Sequence, residues 1–223
     1  MNPKIATRAK ISQARASRQA GKQAPAYHHG ALRLALIGAA RSLLEAEGFE
    51  ALTLRAAARR AGVSQAAPYH HFADKQALLV AVATTGFQDF AVAMQARMAQ
   101  VSAPAARLNE AGIAYVAFAV ANPALFKLMF GGCGTELLRD PALAAARESA
   151  YAVLQSAVAA TLTQKEDSGK AASRRSLGAW ALVHGLATLI NEGGVNPFDY
   201  GAKSAEALTA MLLEPQCSQT MSK

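Results

Sequence analysis

The residues best suited to chemistry lie between Thr53 and Phe72, in the stretch TLRAAARRAGVSQAAPYHHF. Thr53 and Ser64 each carry a hydroxyl able to accept a backbone N–H at a helix start. Two short capped helices are therefore predicted, one running through Arg60 and one from Ser64 to about His71. Between them Gly62 tolerates positive φ, Ala57, Ala58 and Ala61 are small enough for two helices to cross closely, and Val63 is an apolar anchor just past the turn. This is helix-turn-helix spacing. A second helix held in this way can put its amino-terminal end into a DNA major groove. There Ser64 and Gln65 would hydrogen-bond base edges, and Ala66 or Ala67 would meet a thymine methyl. Pro68 at the fourth helical position loses the backbone bond to Ser64, which predicts a tightened or distorted segment.

Other groupings carry less. The histidines include the adjacent pairs His28-His29 and His70-His71, whose members point in different directions on a helix, and no carboxylate or cysteine completes a metal set. Cys133 and Cys217 have neither metal-ligand nor disulfide-framework spacing, which fits a reducing cytoplasm. Gly131-Gly132-Cys133-Gly134 lacks the Gly-Lys-Ser/Thr ending and the preceding strand of a phosphate loop, and reads as a connector. No pattern supplies a nucleophile with its base, so no enzyme, metal or cofactor is expected. Trp180 and His184 lie four residues apart on one face of an apolar helix. Either they line a ligand cavity, together with Phe87, Phe90, Met94, Phe118 and Phe126, or all are ordinary core groups, the commoner fate of such residues.

The elements that must position these residues are helical throughout. Ala, Leu, Arg, Gln and Met dominate rather than β-branched and aromatic residues, and the 52% apolar content is ample for a packed core. An all-α fold is predicted. Leu32, Ala35, Leu36, Ala39, Ala40, Leu43 and Leu44 recur at helical steps between Gly30 and a stop at Gly48. Asp74 caps a long fourth helix bearing Leu78, Leu79, Val82, Phe87, Phe90, Met94 and Met98. Further helices are expected at about Ala105 to Ala121, Pro123 to Phe130, Pro141 to Gln164, Ala171 to Asn191 and Lys203 to Leu213. The longest uncharged runs, Ala111 to Phe126 and Ser176 to Asn191, are 16 residues each. They fall short of the roughly 20 that span a bilayer, so no membrane association is expected.

Charge divides the chain unevenly. The net charge is +8, yet residues 1–75 hold twelve Lys and Arg against four acids, while the remaining residues hold eleven of each. A polyanion contacted by the first third alone accounts for that asymmetry. Met1 to about His29 carries six Lys or Arg and no acid, with few large apolar residues, and is expected to be a flexible basic arm.

Ala61-Gly62-Val63-Ser64, Tyr69, His71-Phe72, Lys75 and Leu78, in register with their helices from Ala31 to about Val82, resemble the DNA-binding domain of the TetR (tetracycline-repressor) family. The resemblance implies that Thr53, Tyr69, His70 and Lys75 hold phosphates, that Ser64, Gln65 and Ala66 face bases, and that Phe72 packs against the fourth helix. Tyr27-His28-His29-Gly30, Asn122 to Gly131 and Trp180-Ala181-Leu182-Val183-His184-Gly185 are similar to the branch with a "WHG" carboxy-terminal domain. Ala31 departs from that pattern, standing where an acidic helix-opening residue is expected. The domains then read as a basic arm (1–29), a DNA-binding domain (30–75, motif 53–72), a helical regulatory and dimerisation domain (76–214) and a tail (215–223). By resemblance the protein is a cytoplasmic homodimer, paired through its last two long helices. It would be a repressor released from a palindromic operator in double-stranded DNA by a small-molecule effector. A sequence-neutral architectural DNA binder and a small helical enzyme acting on an anionic substrate are the competing readings. The first predicts salt-sensitive affinity without site preference, the second turnover without DNA preference.

Overall fold

The computed structural model describes residues 26–131, 139–162 and 169–214, with the backbone alone for residues 26–29. The arm before residue 26, the side chains of Tyr27, His28 and His29, most of the glycine connector with Cys133, the expected helix end at Gln164, and the tail with Cys217 lie outside them. Every regular element among the described residues is helical.

Helix α1 (Ala26–Ala51) buries Leu36, Ala40, Leu43 and Leu44, a stripe at steps of four, three and one. It breaks at Gly48, whose φ of 82° and ψ of −178° are non-helical and strained for any residue with a Cβ. Helix α2 (Leu54–Arg60) is followed by a 3-10 turn (Ala67–His70). The long helix α3 (Lys75–Met98) is capped by Asp74, whose carboxylate accepts from Ala77 N at 2.8 Å. Then come α4 (Pro104–Ala121), α5 (Pro123–Phe130), α6 (Pro141–Ala159), α7 (Gly169–Asn191) and α8 (Ala205–Leu213). Prolines open α4, α5 and α6, where a missing N–H costs nothing and the fixed φ suits the first turn.

Helix α3 is the axle, with Phe87, Phe90 and Met94 each at most 2% exposed and packed toward α4, α5 and α6. By length and composition it could cross a membrane, but half of its most apolar stretch is buried inside the protein, where it forms the core.

The amino-terminal helices are fixed to this body mainly through α1. Glu45 accepts from Ala124 N (3.2 Å) and Leu125 N (2.8 Å), so a carboxylate of α1 caps the amino terminus of α5. Asn122, at the cap position itself, makes no side-chain cap. Its side-chain oxygen Oδ1 instead accepts from Arg41, which also pairs with Asp89 of α3. Helix α5 lies hard against α3, because a Cβ on Gly86 would come within 2.9 Å of Met129 Sδ and 3.0 Å of a Leu125 methyl.

Candidate functional site

At the amino-terminal end, Thr53 caps α2 by accepting from Ala56 N at 3.0 Å. Ala57 and Ala58 are fully buried at the crossing, while Ala61 and Val63 are half-buried. Val63 N reaches back to Ala58 O, and Gly62 turns the chain at φ 71°. The segment beyond is shorter and tighter than a helix from Ser64 to His71. The Ser64 carbonyl accepts from Ala67 N at 3.0 Å, because Pro68 has no N–H to give it, and the turn continues with Tyr69 N on Ala66 O. Ser64 makes no side-chain cap; Ala66 stands at the cap position.

This geometry points one edge outward. Ser64, Gln65, Ala66 and His70 are exposed, as is Thr53, and Tyr69 is 53% exposed although its neighbour Pro68 is buried. Phe72 is buried beneath the guanidinium of Arg33, which lies 5.3 Å from its ring centre. Lys75 has a structural bond: its ammonium donates to Phe49 O at 3.0 Å and sits 4.3 Å from the centre of the Phe49 ring, closing the end of α1. Two hydrogens of that ammonium remain for another acceptor. Arg55 and Arg59 stand four residues apart on the exposed face of α2.

The second feature is a cavity of about 460 Å³ walled by α3, α4, α5, α6 and α7. Phe87, Phe90, Met94, Trp180 and His184 line it. Phe118 does not; it backs Phe90, with ring centres 5.1 Å apart. Phe126 lies in the wall of a neighbouring cavity of about 560 Å³, which shares His184 and Phe130 with the first. Sequence reasoning missed Tyr115, Phe130, Arg147 and Tyr151 in the main lining. Tyr115 did leave a signal, as a lone hydroxyl in the long uncharged run of α4. Arg147 and Tyr151 left none, because their helix could face either way.

Three polar side chains form a chain in the wall. Trp180 Nε1 donates to the Tyr115 hydroxyl at 3.1 Å, and that hydroxyl lies 2.9 Å from His184 Nδ1. Indole is a donor only, so its bond uses one oxygen lone pair. Tyr115 is buried and its hydroxyl has no other acceptor among the described residues, so the tautomer that leaves no hydrogen unspent puts the phenolic hydrogen on Nδ1. An accepting Nδ1 means a neutral imidazole with its hydrogen on Nε2. Burial acts in the same direction, pushing the Tyr115 hydroxyl well above its ordinary range and holding His184 below its usual 6.5. Among the described residues no group of three or more His, Cys, Asp or Glu could hold a metal ion.

The profile "Bacterial regulatory proteins, tetR family" matches residues 36–82, and "Tetracyclin repressor-like, C-terminal domain" matches residues 108–212. Among solved structures, a protein of unknown function from Rhodococcus sp. RHA1 is 34% identical, with 85% of this chain and 95% of that one covered and a TM-score of 0.70. A TetR family transcription regulator from Marinobacter aquaeolei VT8 is 19% identical over 84% of this chain and 95% of that one, with a TM-score of 0.60. A tetR-family regulatory protein from Rhodococcus RHA1 is 21% identical over 82% and 93%, with a TM-score of 0.59. These last two likenesses concern the fold. No curated protein matches the sequence.

Proposed function

The chain belongs to the TetR family of bacterial transcription regulators, and on that premise we propose that it is a homodimeric repressor released from a palindromic operator by a small-molecule effector held in the main cavity. One observation carries the reading: the helices that wall the cavity are the ones to which the DNA-reading unit is fastened. Phe130 and Met129 line the cavity from α5, and Glu45 of α1 caps the other end of that eight-residue helix. Phe87, Phe90 and Met94 line it from α3, whose first residue Lys75 closes α1 on Phe49. A ligand that displaces α5 or α3 therefore moves α1 and the turn with it.

On the DNA side, Ser64, Gln65 and Ala66 read base edges, while Thr53, Tyr69, His70 and the free hydrogens of Lys75 hold phosphates. The 3-10 geometry makes the reading edge short, so two copies are required to cover a site. Their reading edges must lie about 34–36 Å apart to enter successive major grooves. For pairing, α7 offers a stripe of Gly178, Leu182, Gly185 and Leu189 at steps of four, three and four, all exposed except the half-buried Gly185, with Met211 and Leu212 exposed on α8. No heavy atom beyond each glycine's own neighbourhood lies within 4 Å of where a Cβ would stand at Gly178 or Gly185, which leaves room for a second helix to approach.

Selection of bound fragments from random duplex DNA tests this reading. A two-fold symmetric sequence is expected; enrichment without any consensus would favour a sequence-neutral binder and overturn it.

A further inference from the structure

The polarity of the main cavity restricts what it can hold. Among the described residues its interior hydrogen-bonding chain is Trp180–Tyr115–His184, which in the tautomer assigned above spends the Trp180 and Tyr115 hydrogens internally and ends on His184 Nε2–H. That nitrogen has no partner among the described residues and is not a sealed atom, and His184 lines both the main cavity and its neighbour, so it opens onto cavity space. The charged side chains among its described lining, Arg147 and Glu148, are adjacent, exposed and opposite in sign. An ion against the aromatic walls would lose its water while facing two adjacent charges that offset each other. The apolar walls are rings set at steep angles, with Phe130 5.2 Å from Phe87 and 5.0 Å from His184, and Tyr151 5.9 Å from Trp180. Such edges and faces complement a flat π-system, and the volume of about 460 Å³ admits two or three fused rings.

Resting on the reading of this cavity as the effector site, we propose that its ligand is an uncharged, flat aromatic molecule bearing a hydrogen-bond acceptor such as an aryl carbonyl, which takes the His184 Nε2 hydrogen. Tyr115 is then a positioning residue: it touches Nδ1 and fixes the tautomer that makes Nε2 a donor.

The chain has one tryptophan, Trp180, so quenching of its emission locates a ligand in this cavity while calorimetry gives the affinity. The probes are 2-acetylnaphthalene, its isostere 2-isopropenylnaphthalene in which CH2 replaces the carbonyl oxygen, anionic 2-naphthoate and trimethyl(2-naphthyl)ammonium. The ketone is expected to bind about tenfold more tightly than its isostere, and more tightly than either ion. His184→Phe should bring the isosteres within about twofold, and His184→Gln, which keeps an N–H donor, should restore part of the difference. Tyr115→Phe leaves the imidazole hydrogen free to sit on either nitrogen and should narrow the preference without abolishing it. Equal affinity of the two isosteres for the natural protein, tighter binding of an ion, or binding of no probe overturns the proposal. The effector reading fails differently: a ketone that quenches Trp180 yet leaves affinity for the selected duplex unchanged would refute release while leaving the ligand class intact.

Discussion

Replacing Glu45 by alanine should uncouple the cavity from the DNA-reading unit at a modest cost in stability. The side chain spans 79 and 80 positions of sequence to accept from Ala124 N and Leu125 N, and Asn122, occupied by Arg41, supplies no cap of its own. Loss of an N-cap costs about 0.5–2 kcal/mol, and the dipole interaction with α5 adds about 0.3–1 kcal/mol. Glu45 is exposed as a residue, which puts the expected sum near the low end, about 1 kcal/mol. For a chain of this size that is a fall in Tm of about 2–4 °C. Glu45→Gln keeps one acceptor oxygen and should fall between the two. Thermal unfolding gives the first number. The second is the ratio of affinities for the selected duplex without and with a cavity ligand, which should shrink toward one in Glu45→Ala. A variant with unchanged Tm, or one that loses stability but keeps the full ligand effect, would refute the capping argument or the route through α5, respectively.

Gln65→Ala and Tyr69→Ala should fail differently. A lost base contact relaxes discrimination by about 1–3 kcal/mol at one position, whereas a lost phosphate contact weakens all duplexes alike, so binding to a panel of single-base variants separates them. Leu182→Arg places a charge on the α7 stripe where the side chain is 46% exposed in one chain. It should leave the fold intact, yield monomers by sedimentation, and weaken operator binding far more than binding to a half-site. Burial holds the His184 pKa below its ordinary 6.5, so the unfolded chain binds a proton that the folded chain refuses, and stability should decline as pH drops through about 6.5 and level off below the folded value. Tyr115 is shifted up from 10.0, so the unfolded chain loses a proton that the folded chain keeps, and stability should decline again as pH rises past 10.0. Denaturant titrations across pH should show the acid-side loss diminished in His184→Phe and the alkaline loss in Tyr115→Phe.

Local signals in the sequence carried most of the helices. Pro123 and Gly131 bracket α5, Gly48 ends the regular part of α1 through a positive φ, and Thr53 and Asp74 cap the helices expected of them. Pro68 marked the place where the second motif helix tightens, because the missing N–H is a local fact, although the extent of the 3-10 turn depends on bonds made by Ala67 and Tyr69. What was illegible is long-range. The reach of Glu45 to α5, the bond of Lys75 to Phe49 O, and the Trp180–Tyr115–His184 chain each join residues whose neighbours in sequence say nothing of the partner. The same holds for Phe118, whose periodicity suited a cavity wall as well as the layer behind it that it occupies.

The central claim is that cavity and DNA are linked, and linkage is reciprocal. Titrating a cavity ligand while reading Trp180 emission, once on the free protein and once on the protein saturated with its selected duplex, measures it directly. Typical coupling of about 1–3 kcal/mol predicts that DNA weakens the ligand by roughly 5- to 150-fold, the same factor by which the ligand weakens DNA. Identical ligand affinities in the two titrations would contradict the account and make the helices from α3 onward a dimerisation body rather than a sensor.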